Sequence, residues 1–491
     1  MNITATNLQV LMPFLFPVLG ACLLPIASLD RDQASAKWIR AAMYGIALFA
    51  VGASFYYLQA LWATGGQPAA GPVRMDRLTQ FTGLFVMVAA ALTILQLWDH
   101  LHQEGWVKGE SLALLLLSAT GMVLFASTTH LLVLFLALEL LSLPLYALTA
   151  TIRTRAKALE GGLKYFLTGA VAAACFLMGS VLLYGFTGSL DAVVIGAVLG
   201  ARPEPLALVG VALLLLGFLF KVSAVPFHQW TPDAYEAAPH PIAGFMSVAT
   251  KGAALVALLR VVPGAVAALE PTSAKVRAAL AVMAVATMVL GNLSALSQTN
   301  LKRMLAYSSI SHAGYLLLGL VAGTAAARTG MVFYLVVYLF MNMGAFGLLT
   351  VFGLVGERTH YDDLRGLGWK RPGMAIAIAV CMFSLAGIPP TAGFYGKYMI
   401  FKELVATGHL SLAIIGVLAS LVSVYYYLRV LVALFLDAPR ASQEREDAER
   451  PAVHAPLAGA TILACAFLVM LTGLLQPWMN AFALRALDWI R

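Results

Sequence analysis

Long apolar segments alternate with short polar loops from one end of the chain to the other. Segments of about twenty apolar residues are long enough to cross the ~30 Å hydrocarbon core of a bilayer as helices. The pattern therefore predicts an all-α polytopic membrane protein with about 14 transmembrane helices. The predicted spans are residues 8–28, 39–62, 78–98, 111–127, 130–150, 162–186, 206–230, 240–261, 274–297, 303–322, 329–354, 373–406, 410–436 and 456–484.

Prolines interrupt two of these spans. The seventh contains Pro226 and Pro232, and the twelfth contains the pair Pro389 and Pro390. Each proline removes a backbone donor and frees carbonyls that neighbouring helices, polar side chains or water must satisfy inside lipid. Because the broken spans are five apart, spans 4–8 and 9–13 are predicted to be two inverted five-helix repeats, an arrangement that places ion sites at helix breaks. The predicted division is an N-terminal three-helix segment at 1–110, a first repeat at 111–261, a second repeat at 262–436, and a loop with a C-terminal helix at 437–491.

Composition and charge agree with a membrane protein and orient the loops. Hydrophobic residues make up 61% of the chain and charged residues 11%, with a formal net charge of +8. The basic residues are scattered over short loops instead of forming a patch, so we expect no nucleic-acid partner. More of them fall on one side of the predicted membrane than on the other, and the positive-inside rule then predicts a periplasmic N-terminus. Residues 151–158 and 437–454 would face the cytoplasm, and residues 64–76 the opposite side.

Four ionisable residues lie deep inside apolar segments: Glu139, Lys221, Lys251 and Lys397. An unpaired charge at the centre of a spanning helix costs roughly 2.5–3.5 kcal/mol, so these groups are expected to face a protein interior or water. The simplest explanation for a carboxylate and several amines at such positions is that the protein moves charge through its interior. The alternative is a non-catalytic scaffold in which the buried charges only pin helices together. The sequence contains no phosphate-binding glycine loop, metal-ligand cluster or hydrolytic triad.

Other polar residues are weaker indications of proton transfer. His228 and His312 carry imidazoles that donate and accept protons near neutral pH, although a lone histidine in a membrane is more often a packing residue. Lys164 follows other charged residues closely, and its long stem would allow the amine to reach the membrane interface instead. The run Tyr425-Tyr426-Tyr427 is interpreted as an anchor at that interface.

Five motifs spread over the chain form a specific combination. They are Leu138-Glu139-Leu140-Leu141-Ser142-Leu143-Pro144, Glu160-Gly161-Gly162-Leu163-Lys164-Tyr165-Phe166, Phe220-Lys221 through Trp230-Thr231-Pro232-Asp233, Asn300 through His312, and Gly387-Ile388-Pro389-Pro390 with Gly396-Lys397. In these motifs the whole chain resembles the antiporter-like membrane subunits of proton-pumping NADH:quinone oxidoreductase, respiratory complex I. Within that family it is most similar to the N type, since the M type is expected to carry a glutamate at the position of Lys397. The L type is expected to extend into a long lateral helix.

The resemblance implies a role for each buried group. Glu139 and Lys221 would be the coupled pair of one half-channel, Lys251 the central relay, and Lys397 the exit-side group. The connecting positions would be Lys164, His228, Lys302 and His312.

The resemblance also implies partners. This chain would hold no cofactor, and the flavin, iron–sulfur clusters and quinone would be bound by partner subunits. Those partners would include the M-type antiporter-like subunit and small hydrophobic subunits, in the inner (plasma) membrane of a bacterium. An Mrp-type cation/proton antiporter shares the same core motifs and is the alternative.

Overall fold

The computed structural model describes residues 5–28, 36–104, 109–201, 205–266, 272–352, 359–439 and 455–487. Within these ranges, thirteen helices are long and apolar enough to cross a membrane. The helices are α1 (Ala5–Ala27), α2 (Ala36–Thr64), α3 (Arg77–Glu104), α4 (Gly109–Ala126), α5 (Leu131–Thr149), α6 (Ala156–Thr187), α7 (Ala192–Ala201), α8 (Pro205–Val222), α9 (Trp230–Ala237), α10 (His240–Phe245), α11 (Lys251–Val266), α12 (Thr272–Leu296), α13 (Leu301–Ala322), α14 (Ala325–Phe352), α15 (Leu367–Lys370), α16 (Pro372–Ala386), α17 (Ala392–Ala406), α18 (Leu410–Phe435), α19 (Pro456–Leu474) and α20 (Gln476–Ala486). A π-helical turn, Met246–Thr250, joins α10 to α11, a 3-10 turn spans Tyr361–Leu364, and β1 (Ala69–Ala70) pairs with β2 (Val73–Arg74) in a small hairpin.

The order of helices confirms the predicted all-α polytopic fold. α16 and α17 have 15 residues each, which is too short to cross a bilayer separately, and together they fill the predicted twelfth span. Counted as one broken span beside the thirteen long helices, they account for the predicted fourteen. The last predicted span is divided at Leu475 into α19 and α20, and the short helix α7 was not predicted.

Both predicted helix breaks are present. α8 ends at Val222, earlier than predicted, because Ser223 turns the backbone into the left-handed region with φ of 65°. α16 ends where Gly387 does the same with φ of 81°, a conformation that glycine adopts without steric cost. Lys221 lies just before the first break, whereas Lys397 follows the second, so the two breaks are not identical copies.

The centre of the bundle consists of α10, α11, α13 and α14. The apolar window of His240–Val262 is buried throughout, whereas most of α1, α2 and α18 faces outward. Leucines on the outer helices remain exposed because lipid is as apolar as their side chains. Small residues allow close helix contacts: a Cβ on Gly121 of α4 would clash with the backbone nitrogen of Leu141 on α5.

Loop contacts agree with the predicted alternation of membrane faces. On one face the hairpin residue Val73 bridges to Thr128, and His130 bridges to Asp191. On the other face Asn300 bridges to His360. Each pair joins loops that the fourteen-span order places on the same side. Which side is the cytoplasm remains a prediction, and most of the predicted cytoplasmic loop 437–454 lies outside the described residues.

A buried ion pair ties the first three helices to the central segment. Arg260 of α11 donates two hydrogen bonds of 2.7 Å to the carboxylate of Asp76, which directly precedes α3. The same guanidinium donates to the hydroxyl of Thr79 at 3.0 Å. Bidentate geometry and extra hydrogen bonds are what a buried ion pair needs to offset the loss of hydration. The contact fixes the end of α11 that lies farther from Lys251.

Candidate proton-transfer site

Lys251 lies at the centre of the bundle, at the first position of α11 directly after the π-helical turn. Its side chain is buried, and Nζ donates a hydrogen bond of 2.7 Å to Oγ of Ser309. The ring of Tyr235 lies 5.9 Å from the same nitrogen. π-helical turns within α-helices are frequent at functional sites. The amine is therefore held by a neutral hydroxyl, a group that donates or accepts a proton as needed.

Lys221 is enclosed by aromatic rings at the end of α8. Its Nζ lies 5.3 Å from the ring centroid of Tyr146 and 5.2 Å from that of Tyr165. Among the described residues this nitrogen has no hydrogen-bond partner. Ring faces attract a cation but, unlike a carboxylate, take no proton from it. The environment thus leaves the proton of Lys221 available to another group.

Glu139 is near Lys221 without being bonded to it. The carboxylate lies on α5 and interacts electrostatically with Lys221, but no ion pair of 4.0 Å or less joins these two described residues. Ser142, one turn further along, donates to the carbonyl of Leu138 instead. Glu139 is half-buried, and on its flanks Leu136 and Leu143 are exposed. The predicted pair is therefore brought together loosely, with the acid toward the outer side of the bundle.

Lys397 has a different environment at the second break. Its Nζ donates to the carbonyls of Leu385 and Ala386 at 3.1 and 3.3 Å, and to Oγ of Ser420 at 2.8 Å. The two carbonyls belong to the last turn of α16, where no intrahelical donor remains, and the negative end of the helix dipole favours a cation there. The nitrogen also lies 4.8 Å above the ring of Tyr315. Lys397 therefore completes the break structurally as well as providing an amine.

His312 is hydrogen-bonded on both ring nitrogens. Nδ1 lies 2.5 Å from the hydroxyl of Tyr334, and Nε2 lies 3.0 Å from the hydroxyl of Tyr427. The Tyr427 hydroxyl also bonds to Ser308, the neighbour of the Ser309 that holds Lys251. An imidazole bonded on both sides can accept a proton at one nitrogen and release one from the other. His312 thus lies close enough to Lys251 and Lys397 to interact electrostatically with both, and its role as a connecting position stays a prediction.

The tyrosine run on α18 differs from its sequence interpretation. Tyr425 is exposed, but Tyr426 and Tyr427 are buried, so the run as a whole is not an interfacial anchor. Consecutive helical residues point about 100° apart. Three in a row therefore cannot share one face, and this geometry was the overlooked sign that part of the run turns inward.

A further set of hydroxyl and amide groups leads from the tyrosines toward Lys397. Tyr426 donates to Oδ1 of Asn292 at 2.8 Å, and Nδ2 of Asn292 donates to the hydroxyl of Tyr315 at 3.1 Å. Tyr315 is the ring beneath Lys397. The rings of Tyr426 and Tyr427 are in contact, with centroids 4.5 Å apart. Asn292 and Tyr315 were not singled out in the sequence, because tyrosine and asparagine are common and the contacts join helices distant in the chain.

The remaining predicted relay residues do not share one position. Lys302 is buried, and its Nζ donates to the carbonyls of Glu236 and Ala238 at 3.0 Å each. His228 lies half-buried in the first break, and its Nδ1 has no hydrogen-bond partner among the described residues. Lys164 is half-exposed and pairs with Glu160 at 2.6 Å, so it lies at the surface of the bundle.

Lys164 belongs to a charged surface cluster around a cavity of about 200 Å³. The charged lining residues are Lys157, Glu160, Lys164, Asp233, Glu236 and Arg303. Burial alone would raise the pKa of the Asp233 carboxyl, but hydrogen bonds from Arg303 and Lys164 outweigh it and hold that pKa below its usual value. Asp233 is therefore ionised at neutral pH, and the cluster keeps charge of both signs at the membrane face next to Lys302.

Buried amines and a buried imidazole, several of them bonded to hydroxyl groups, on a bundle with helices that break inside the membrane, define the class of ion- and proton-translocating membrane proteins. Comparison with known proteins agrees. The sequence model of the family described as NADH:quinone oxidoreductase/Mrp antiporter, TM, matches residues 128–423. NADH-quinone oxidoreductase subunit N of Trichlorobacter lovleyi is 40% identical over 489 residues, 99% of this chain and 98% of that protein. NADH-quinone oxidoreductase subunit N 1 of Sorangium cellulosum is 44% identical over 424 residues, 84% of this chain and 83% of that protein.

Solved structures give the same result. A chain of respiratory complex I from Thermus thermophilus, determined with bound aureothin, is 36% identical and superimposes with a TM-score of 0.78, over 96% of this chain and 99% of that one. A chain of the Mrp complex from Dietzia sp. DQ12-45-1b has the same fold, with a TM-score of 0.82 over 98% of this chain and 97% of that one, at 21% identity. The chain therefore belongs to the NADH:quinone oxidoreductase/Mrp antiporter family of membrane subunits, and within it to the NADH-quinone oxidoreductase subunit N proteins.

Proposed function

We propose that this chain is a proton-translocating membrane subunit of a NADH:quinone oxidoreductase, moving protons through two linked half-channels. Glu139 and Lys221 form the coupled pair of the first, Lys251 is the central relay, and Lys397 is the exit-side group. The connecting groups are Lys164, His228, Lys302 and His312. Redox chemistry in other subunits supplies the energy, because proton movement between side chains releases none by itself.

The observation that carries this proposal is the series of hydrogen bonds beside Lys251. Ser309 holds its amine, Ser308 bonds to Tyr427, and Tyr427 bonds to His312. A scaffold that only pins helices needs each buried charge satisfied, which a single carboxylate partner does. Here a neutral hydroxyl holds the amine instead, and the adjacent residue Ser308 is bonded to further groups able to pass protons, as transfer requires.

Transfer follows from the charges of these groups. A proton that reaches Lys221 or Lys251 changes the local charge in a low-dielectric interior, where electrostatic interactions are strong over several ångströms. The added charge alters the pairing between Lys221 and Glu139 and repels the proton on the next lysine. Each repulsion displaces a proton toward Lys397. The groups between are the hydroxyls of Tyr427, Tyr426 and Tyr315 and the amide of Asn292.

The proposal extends to the assembly. The partners are other complex I membrane subunits, including the M-type antiporter-like subunit and small hydrophobic subunits, and those partners hold the flavin, iron–sulfur clusters and quinone. The membrane is the inner (plasma) membrane of a bacterium, with the N-terminus in the periplasm. Full-length similarity to a complex I chain from Thermus thermophilus at 36% identity supports this assembly. The Mrp complex from Dietzia, at 21% identity, supports only a common fold.

Two measurements test the proposal. Purification in mild detergent should yield the chain together with hydrophobic and iron–sulfur subunits, and recovery in a flavin-free cation-antiporter assembly would contradict it. In proteoliposomes, the assembled complex with Lys251→Met should retain its subunits but lose most proton pumping. Full pumping in that variant would favour the scaffold.

A further inference from the structure

A second group of buried titratable side chains lies apart from the row of lysines, where α3 meets α10. His100 in α3 and His240 at the start of α10 are 5% and 1% exposed. Their rings meet edge to face, with centroids 5.2 Å apart. Nδ1 of His240 has no hydrogen-bond partner among the described residues. Leaving a buried polar nitrogen unsatisfied costs roughly 1–3 kcal/mol, so packing alone does not explain a histidine at this position.

The histidine pair lies near the start of α19 on one side and near Lys302 on the other. Next to His100, the carboxylate of Asp99 accepts a hydrogen bond of 2.7 Å from the backbone nitrogen of Ala458, in the first turn of α19. Lys302 and Arg155 are close enough to interact electrostatically with both imidazoles. Protonation of either ring therefore places a positive charge near Lys302.

The other elements packed against this end of α3 contribute few charges. Gln96, one turn before His100, donates to the carbonyl of Met343 on α14 at 3.3 Å and to the hydroxyl of Thr461 on α19 at 3.2 Å. The sequence of α19 contains no charged residue, and α14 carries only Arg328, near its other end. On α2, Arg40 lies near Asp99, since both interact with Tyr44. Among the residues that the structure describes, the charged groups near the imidazoles are Asp99, Arg40, Arg155 and Lys302.

The histidine pair and the charged surface cluster consist of different residues, and both lie near Lys302. That cluster surrounds Asp233 and the side chain of Glu236, on α9. Lys302 donates to the backbone carbonyls of Glu236 and Ala238, and Ala238 is two residues before His240. Lys302 thus lies near two polar clusters. One is the charged surface cluster with its carboxylates, and the other is the histidine pair.

We propose that His100 and His240 form a proton-uptake relay that leads from the last turns of α3, beside Asp99, to Lys302. An imidazole accepts a proton at one ring nitrogen and releases the proton of the other, so each transfer restores a neutral ring as its tautomer. No hydrogen bond joins the two rings among the described residues, and their centroids are 5.2 Å apart, so the proposed transfer runs through one bridging water. The inference rests on the proposed function, since a relay into Lys302 has a purpose only if protons move through the bundle.

The test removes the titrating groups and keeps the ring volume. His240→Phe and His100→Phe, each in the intact complex with assembly checked by native gel, should lower the initial rate of proton pumping about tenfold. The double variant should fall no further than either single variant, because both act in one path. The pH profile of pumping should lose the component that titrates with the pair, whereas a purely structural defect lowers the rate equally at all pH values.

Three comparisons make the outcome decisive. His409→Phe removes a half-buried imidazole outside the pair and should pump normally. His240→Gln keeps hydrogen-bonding capacity without titrating, so pumping restored by glutamine would show a structural role and overturn the relay. Normal pumping in His240→Phe together with a loss in Asp233→Asn would assign uptake to the surface cluster and also overturn it. Normal pumping in Lys251→Met instead would count against the proposed function itself.

Discussion

Lys397→Arg separates a proton carrier from a structural cation. The amine makes three hydrogen bonds, two to the carbonyls that end α16 and one to Ser420. An arginine keeps the positive charge and offers five donors, so it can still satisfy carbonyls of Leu385 and Ala386. Assembly and helix packing should therefore survive, while release of a proton becomes harder.

The size of the effect follows from the reference pKa values of the two side chains. The reference pKa of arginine is at least about two units above that of lysine, so in the same surroundings the neutral form of arginine is at least ~100-fold rarer. Its formation costs at least ~2.8 kcal/mol more, since each pKa unit corresponds to about 1.4 kcal/mol. If every translocated proton requires the side chain at position 397 to become neutral for a time, the pumping rate should fall by as much as ~100-fold.

The assay is proton translocation and quinone-linked turnover of the assembled complex in proteoliposomes. Lys402→Arg, an exposed lysine on the same helix α17, is the matched control and should behave as the unmodified protein. Pumping and turnover at unmodified levels in Lys397→Arg would refute Lys397 as a carrier and leave it the structural role of completing the break. Loss of assembly in a native gel would instead mean that the guanidinium does not fit.

Three other predictions test different parts of the molecule. Lys221→Met and Glu139→Gln should each strongly reduce proton-coupled turnover with the subunit still assembled on a native gel, because each removes a titrating group; normal pumping in both would favour the scaffold. Asp76→Asn should destabilise the bundle by roughly 3–5 kcal/mol, measured by thermal unfolding in detergent, because it removes the carboxylate charge that pairs with the buried guanidinium of Arg260; an unchanged midpoint would contradict a stabilising role for this ion pair. Single cysteines at the exposed positions Thr154 and Gln67 should react with an impermeant maleimide from opposite sides of the membrane, and labelling from the same side would refute the fourteen-span order.

The fold and the buried lysines were predictable because lipid enforces simple rules. A charge within an apolar segment is costly, so Lys221, Lys251 and Lys397 stood out without any knowledge of their neighbours. The breaks were equally visible, since proline removes a backbone donor wherever it occurs in a span. Each of these properties is a local feature of the sequence.

The hydroxyl groups around the lysines were not predictable in this way. Tyr427 contacts His312 across 115 positions of the chain, and Asn292 contacts Tyr426 across 134. Such pairs depend on helix rotation and packing, which the apolar pattern leaves open because most faces of these helices are apolar. His100 and His240 were overlooked for the same reason: each is unremarkable alone, and only the fold brings the two rings together.

The two helix breaks, similar in sequence, hold their lysines in opposite ways. Lys397 is fixed by three hydrogen bonds, so its position is set by the end of α16 whatever its neighbours do. Among the described residues, Lys221 is held by ring faces without a hydrogen bond, and Glu139 is coupled to it electrostatically without an ion pair. A small movement of Glu139 therefore changes the electrostatic energy of the Lys221 side chain. The hydrogen bonds of Lys397 make its side chain less sensitive to movements of its neighbours. We infer that the pair at the first break is the part that responds to partner subunits, while the second break provides a fixed point of release.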